Sequence, residues 1–320
     1  MLDLRSQMPA GTQAVALNLA ATGATQNGFV RAYPCNGAVP PTSSINPVAG
    51  ATTSNAAVVP VGNGRICLQT LRETELIIDL NGWLTSAAAV GLQPVTPVRL
   101  VDTRANLGGY GRQGPKGVIE VQAVPPGSPS VAVALNITAV SPGHDGFVTA
   151  WPCGTDMPFV ANLNPQAGVT RPNFVNVRVG TSGKVCLYTL QDTDLVVDKF
   201  GEYQPGATAR YGALSPTRLL DTRNGFSSRH PSDLSYTLPV GNVVAAQLNV
   251  TATNPPTGGF LTAFSCMDTS RPLVANVNHA PGETAGNSVL APAGRGYSCV
   301  FPYTNADVVV DVFGVWTTQR

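Results

Sequence analysis

The chain has 320 residues, 43% of them hydrophobic and 12% charged, and its 19 basic and 18 acidic side chains leave a net charge of +1. So little charge on so apolar a chain excludes intrinsic disorder and the basic stripe of a nucleic-acid binder. Thirty-three glycines and 27 prolines argue against a helical protein, and no apolar run reaches the length of a membrane span.

The opening residues, Met1-Leu2-Asp3-Leu4-Arg5, lack the basic and apolar segments of a secretory leader. Six cysteines in a turn-rich chain nevertheless read as disulfides, so the expectation is an exported protein whose signal has been removed. Taken in order, the chain repeats itself, and the repeats predict three units over residues 1–95, 96–213 and 214–320. Each opens on one phrase. It is Arg99-Leu100-Val101-Asp102-Thr103-Arg104 in the second unit, Arg218-Leu219-Leu220-Asp221-Thr222-Arg223 in the third, and shortened to Leu2-Asp3-Leu4-Arg5 in the first. A Leu-Asn pair follows, ending at Asn18, Asn136 or Asn249. The gap from the phrase to this pair is 32 and 26 residues in units two and three but 13 in unit one, so the first unit lacks about one hairpin or begins inside it.

A Gly-Phe strand comes next and ends on Tyr33, Trp151 or Phe264, two residues before Cys35, Cys153 or Cys266. Then comes a polar set, Asn46, Gly50, Thr52 and Asn55, which recurs as Asn164, Gly168, Thr170 and Asn173 and as Asn278, Gly282, Thr284 and Asn287. A second cysteine (Cys67, Cys186, Cys299) follows the first by 32 or 33 residues, and 12 residues later an aspartate (Asp79, Asp198, Asp311) ends an apolar run. An acid precedes that aspartate by four positions (Glu75, Asp194, Asp307), and Trp83, Tyr203 or Trp316 closes the unit. The segments between turn residues are short, β-branched and alternating, such as residues 174–179 and 195–198, and no window shows a helical stripe. Seven or eight strands in about 110 residues predict an all-β chain of three tandem disulfide-stapled β-sandwich or small-barrel units. The Ala-, Gly- and Pro-rich stretches 87–97 and 204–216 read as linkers, which gives three beads as the first picture and direct packing of units as the second.

These phrases resemble the repeat modules of secreted and surface proteins of actinobacteria, which read RLLDTR, VALNVTA, GFVTAWPCG, VCLYT and TDLVVDV in that order. The resemblance spans essentially the whole chain and is closest in the second unit. It implies an extracellular, non-catalytic module and carries over no catalytic residue.

The repeat selects Cys35–Cys67, Cys153–Cys186 and Cys266–Cys299 among the fifteen pairings that six cysteines allow. Each bridge closes a loop that should stabilise its unit by about 3–4 kcal/mol. A metal site would need Cys-x-x-Cys or nearby histidines, and neither is present. Asp102 and Arg104 share a strand face and read as a structural ion pair, with Asp198 or Asp194 nearby, rather than as a ligand site. The acid pairs four apart would offer calcium only two of the six to eight oxygens it needs. Trp83, Trp151, Tyr203 and Trp316 are candidate glycan contacts, against the commoner role of aromatics in a core. The asparagine set reads as a turn builder, or as a sugar-contacting loop. His144, His230 and His279 occupy non-equivalent positions, so no nucleophile–His–acid set is marked, and neither a catalytic residue nor a cofactor is implied. The sequence therefore points to a non-catalytic extracellular structural or assembly protein of a cell-surface layer, filament or particle, joined to itself or to other surface proteins. The alternative is a multivalent adhesin that binds cell-wall glycan. No nucleic acid and no membrane span enter either reading.

Overall fold

A computed structural model describes residues 1–85, 88–224 and 232–318. Among these, all regular structure is strand apart from three single 3-10 turns, so the chain is all-β. The first unit holds β1 (Leu2–Asp3), β2 (Thr12–Thr22), β3 (Val30–Pro34), β4 (Thr53–Pro60), β5 (Arg65–Thr70) and β6 (Glu75–Thr85). The second holds β7 (Val90–Asp102), β8 (Gly117–Gln122), β9 (Ala132–Val140), β10 (Val148–Pro152), β11 (Arg171–Arg178), β12 (Lys184–Thr189) and β13 (Asp194–Pro205). The third holds β14 (Ala209–Asp221), β15 (Leu234–Thr237), β16 (Val243–Thr253), β17 (Gly259–Phe264), β18 (Val277–His279), β19 (Ala285–Pro292), β20 (Tyr297–Pro302) and β21 (Asp307–Thr318).

Every unit is two sheets face to face. The outer sheets run β1-β5-β3, β8-β12-β10 and β15-β20-β17-β18, and the inner ones β4-β2-β6, β11-β9-β13-β7 and β19-β16-β21-β14. Alternating small and branched residues put one apolar core between the two sheets of each unit, around Leu17, Leu135 and Leu248. The three expected disulfides are present, and each ties the strand after Gly-Phe to its neighbour in the outer sheet.

The structure departs from the bead picture. The stretches read as linkers are largely strand: β7 starts at Val90, β13 runs to Pro205 and β14 starts at Ala209. Leu92 on β7 pairs with Ala209 on β14, which joins the inner sheets of units two and three into one of eight strands. The prolines that suggested linkers, Pro94, Pro97 and Pro216, lie in or beside stretches where the register shifts, and there a strand tolerates a missing donor. A further apolar cluster belongs to no single unit. It draws Ala14 and Ala16 from the first, Ala134 and Phe174 from the second, and Ala245 and Trp316 from the third.

Candidate functional site

Two polar constructions recur through the fold. The first joins the units. Asn55, Asn173 and Asn287, on β4, β11 and β19, are all buried. The Asn173 amide donates to Asn18 Oδ1 of unit one (3.0 Å), and its Oδ1 accepts from the Ala56 backbone N–H (2.8 Å). Asn287 binds Asn136 Oδ1 (2.8 Å) and the Phe174 N–H (3.1 Å) of unit two in the same way. Asn55 binds Asn249 Oδ1 (2.9 Å) and the Ser288 N–H (2.9 Å) of unit three. Asn18, Asn136 and Asn249 in turn donate to the carbonyls of Ala161, Ala275 and Ser43. Unit one is thus tied to two, two to three, and three back to one, so the contacts close a ring. Of the polar set, Gly50, Gly168 and Gly282 do hold turns at positive φ, whereas Asn55, Asn173 and Asn287 are buried strand residues and neither turn builders nor exposed contacts. Their recurrence inside strands that are otherwise apolar was the available signal.

The second construction is the Arg-Leu-x-Asp-Thr-Arg phrase, which ends the fourth strand of an inner sheet. Arg99 on β7 grips the buried carboxylate of Asp198 on β13 with two bonds, Nε to Oδ1 at 2.9 Å and Nη2 to Oδ2 at 3.2 Å. Arg218 on β14 repeats this on Asp311 of β21 at 2.8 and 3.2 Å. Desolvation pushes both aspartate pKa values up, and the guanidinium opposes that shift. Asp102 is clasped by Arg104 (2.8 and 2.7 Å) and Asp221 by Arg223 (2.8 and 2.6 Å), and these bonds hold both carboxyls below the usual range. The Thr103 hydroxyl donates to Asp194 and accepts from the Leu195 N–H, and the Thr222 hydroxyl accepts from the Val308 N–H. Asp102 and Arg104 are therefore a structural pair. Asp198 and Asp194, considered above for calcium, already have cationic partners in Arg99 and Arg112.

Unit one differs, and here one reading of the sequence is corrected. Leu2 and Asp3 face Ile66 and Arg65 on β5, as Val121 and Gln122 face Val185 and Lys184 on β12. Residues 2–5 therefore correspond to the first outer strand rather than to the arginine phrase. The misreading arises because Asp3 and Arg5 form the same local fork (2.9 Å) that Asp102 and Arg104 do. Among the described residues the fourth inner strand has no counterpart in unit one, and β6 pairs only with β2. Among the described residues no arginine pairs with Asp79, the counterpart of Asp198 and Asp311. Burial raises its pKa, opposed only by a hydrogen bond from the Asn18 side chain.

A glycine marks the same gap. A side chain on Gly201 would strike Leu92 of β7 at 2.8 Å, and one on Gly314 would strike Tyr211 of β14 at 2.1 Å. At Gly82, their counterpart on β6, nothing lies within 4 Å. Ile77 and Trp83 of β6 are 53% and 50% exposed.

The remaining candidates fall as follows. Trp151 is buried against the Cys153–Cys186 bridge and donates to the Thr155 carbonyl (3.1 Å). Trp316 is buried between Tyr203 and Tyr211, with ring centroids 5.6 and 5.2 Å away. Tyr203 is half-buried and donates to Asn176 Oδ1 (2.8 Å). Tyr203 and Trp316 face Ala132 and Ala245, and Leu84 holds the matching place opposite Ala14 in unit one. Trp83 lies one residue earlier and so points to the other face. A cleft of about 210 Å³ over Gly82 nevertheless brings Trp83, Tyr203 and Trp316 together with Arg178 and Arg210. Larger clefts of about 580 and 280 Å³ lie beside Arg99 and Arg218, where units two and three and units three and one meet. His144 is exposed near Asp192, His279 is buried with its pKa lowered by desolvation, and His230 lies outside the described residues. Glu120 approaches Cys153 and Cys186, but both sulfurs are committed to the disulfide.

No family model and no curated protein matches the chain. Among solved structures, similarity is found to the Sulfolobus turreted icosahedral virus at 8% identity and TM-score 0.19, covering 98% of this chain and 82% of that one. A crystal structure of the STIV MCP matches at 9% and 0.21, covering 72% and 97%. A structure of the triple jelly roll fold and turret assembly in an archaeal virus matches at 8% and 0.19, covering 97% and 80%. At TM-scores near 0.2 these likenesses carry no functional argument.

Proposed function

We propose that the protein is a non-catalytic extracellular structural subunit of a surface layer, filament or particle, a rigid three-unit block that joins its neighbours through the open edge of β6. The observation that carries this reading is β6, which among the described residues pairs on one side only, in an inner sheet whose two counterparts both have a fourth strand. A bare, partly apolar sheet edge pairs with another bare edge or with a strand from a second protein. The ring of asparagine ties supports a block that keeps its shape under load, and three disulfides suit an oxidising location outside the cell. The likeness to the repeat modules of actinobacterial surface proteins agrees with both. Light scattering across a wide concentration range tests the proposal. A mass that rises with concentration above 33.1 kDa is expected, and a strict monomer at every concentration refutes self-assembly.

The exposed Trp83 beside the aromatic and cationic cleft over Gly82 favours glycan binding as a second reading. In that case Trp83→Ala abolishes retention on cell-wall polysaccharide while the fold survives. Unchanged retention eliminates that site.

A further inference from the structure

We infer that the cleft between units two and three is a binding site for a neutral saccharide ring, with His279 as its polar contact and Phe260 and Tyr303 as its aromatic wall. The cleft encloses about 580 Å³, a size common among small-molecule sites. Arg99, Arg104 and Asp198 of unit two line one side, and Phe260, His279 and Tyr303 of unit three line the other.

The other two units show what the fold itself requires at these places. His279 follows the recurring Asn278, whereas Pro47 follows Asn46 and Pro165 follows Asn164. Tyr303 donates its backbone N–H to the Phe260 carbonyl, as Leu71 does to Phe29 and Leu190 to Phe147, so leucine holds that place in the other units. The same segments are thus built twice without histidine or tyrosine, and unit three carries both where they line one cleft. His279 is 6% exposed, and among the described residues neither ring nitrogen has a hydrogen-bond partner. An unpaired buried imidazole is costly and proline avoids that cost, so packing alone does not call for histidine. The cleft between units three and one is smaller, about 280 Å³, and there Arg31 lies over the Phe29 ring at 4.4 Å. Phe260 instead stacks with Tyr303, ring centroids 4.0 Å apart, which widens the aromatic wall.

The chemistry of the walls selects the ligand. Desolvation lowers the His279 pKa, so the ring is neutral and offers one donor and one acceptor. Neighbouring hydroxyls satisfy both. Arg99 and Arg104 are balanced by Asp102 and Asp198, so these arginines bring no unpaired charge to attract an anion. A molecule with hydroxyls along its edge and C–H groups on its face suits both walls, and a pyranose ring has that form.

The test is NMR of the 320-residue protein, read at the His279 ring and at the backbone amides of Phe260 and Tyr303. The probes are the methyl glycosides of glucose, galactose, mannose and N-acetylglucosamine, and a tetrasaccharide of each sugar. Saturable shifts at His279 with at least one probe are expected. His279→Pro and Tyr303→Leu install the residues of the other units, so both variants should melt with the parent, and each should weaken binding by about tenfold or more, read at the amides. If a variant melts early, the His279 shifts of the parent decide alone. A tetrasaccharide that binds more tightly than its methyl glycoside names a polymer as the source, and equal affinity names a free sugar. No saturable shift at His279 with any probe, or unchanged affinity in either folded variant, overturns the inference. Shifts confined to the Trp83 indole assign the sugar to the cleft over Gly82 and overturn it as well.

Discussion

Replacing Asn173 by alanine should unlock units one and two from each other. The side chain makes three buried hydrogen bonds, to Asn18 Oδ1, to the Ala56 N–H and to the Asn162 carbonyl. At about 1 kcal/mol each, their net loss is about 3 kcal/mol. The Ala56 N–H then stays buried without an acceptor, which adds roughly 1–3 kcal/mol and brings the total to about 4–6 kcal/mol. That is a large fraction of the 5–15 kcal/mol typical of a folded domain. Urea denaturation followed by tryptophan fluorescence reads it well, because Trp83, Trp151 and Trp316 fall one to a unit. The expected result is one transition, displaced for all three units together, because the tie belongs to a closed ring. A loss below about 1 kcal/mol, or a displacement confined to unit two, refutes the reasoning and returns the molecule to three independent beads. Asn173→Asp is the sharper variant. It keeps the acceptor for Ala56 but places a carboxylate against two oxygens. Its pKa should rise above the unfolded value, so the variant should be more stable in acid than at neutrality, the reverse of an ordinary paired aspartate.

Gly314→Ala should cost about 1–3 kcal/mol, because its Cβ would meet the buried Tyr211 ring, whereas Gly82→Ala should cost almost nothing; thermal melts of the two variants check the difference. Replacing Cys153 and Cys186 together by alanine should lower stability by about 3–4 kcal/mol for a bridge spanning 33 residues, as read by denaturation against the reduced and oxidised parent. Asp102 and Asp221 have folded pKa values depressed by Arg104 and Arg223, so their stabilisation is complete above the unfolded carboxylate pKa, near 4, and is lost as pH falls through the folded values. Asp102→Asn together with Asp221→Asn should flatten that acid limb in a pH series of melts, and an unchanged limb contradicts the assignment. Trp151→Ala should destabilise by roughly 3–5 kcal/mol through the cavity it leaves beside the disulfide, and calorimetry of the variant checks this.

The class, the repeat and the disulfides were legible because each is written three times. A strand alternation or a cysteine spacing that recurs twice more leaves chance no room. What misled was information that is local when the structure is not. The Asp-x-Arg fork forms between neighbours two apart, so Asp3–Arg5 and Asp102–Arg104 look alike although one lies on β1 and the other ends β7. Only the pairing partner distinguishes them, and pairing is not visible in a short phrase. The closing aromatics are not all equivalent, because a slip of one residue on a strand changes the face: Trp83 is displaced from the place that Tyr203 and Trp316 share. Prolines hid β7 and β14 because a proline argues against a strand unless a register shift removes the need for its donor. Gly82, Gly201 and Gly314 carry no signal of their own in the sequence, since a missing side chain shows its purpose only when something packs over it.

The asparagine ring explains why three units make a closed body. Alanines at 14, 16, 134 and 245 let the inner sheets approach closely, but small apolar faces slide and do not fix a register. An amide does fix one, because it offers a donor and an acceptor in a set direction. Asn173 satisfies Asn18 and Ala56 only at one mutual placement of units one and two, and Asn287 and Asn55 set the other two joints in the same way. Remove one unit and two faces lose their hydrogen-bond partners and open their alanines to water. Three is therefore the count at which every tie has its partner. The inner sheets do not share that closure. Two of them receive a fourth strand bearing arginine, and among the described residues the third does not, so Asp79 and Gly82 keep the features of that joint without the strand that fills it elsewhere.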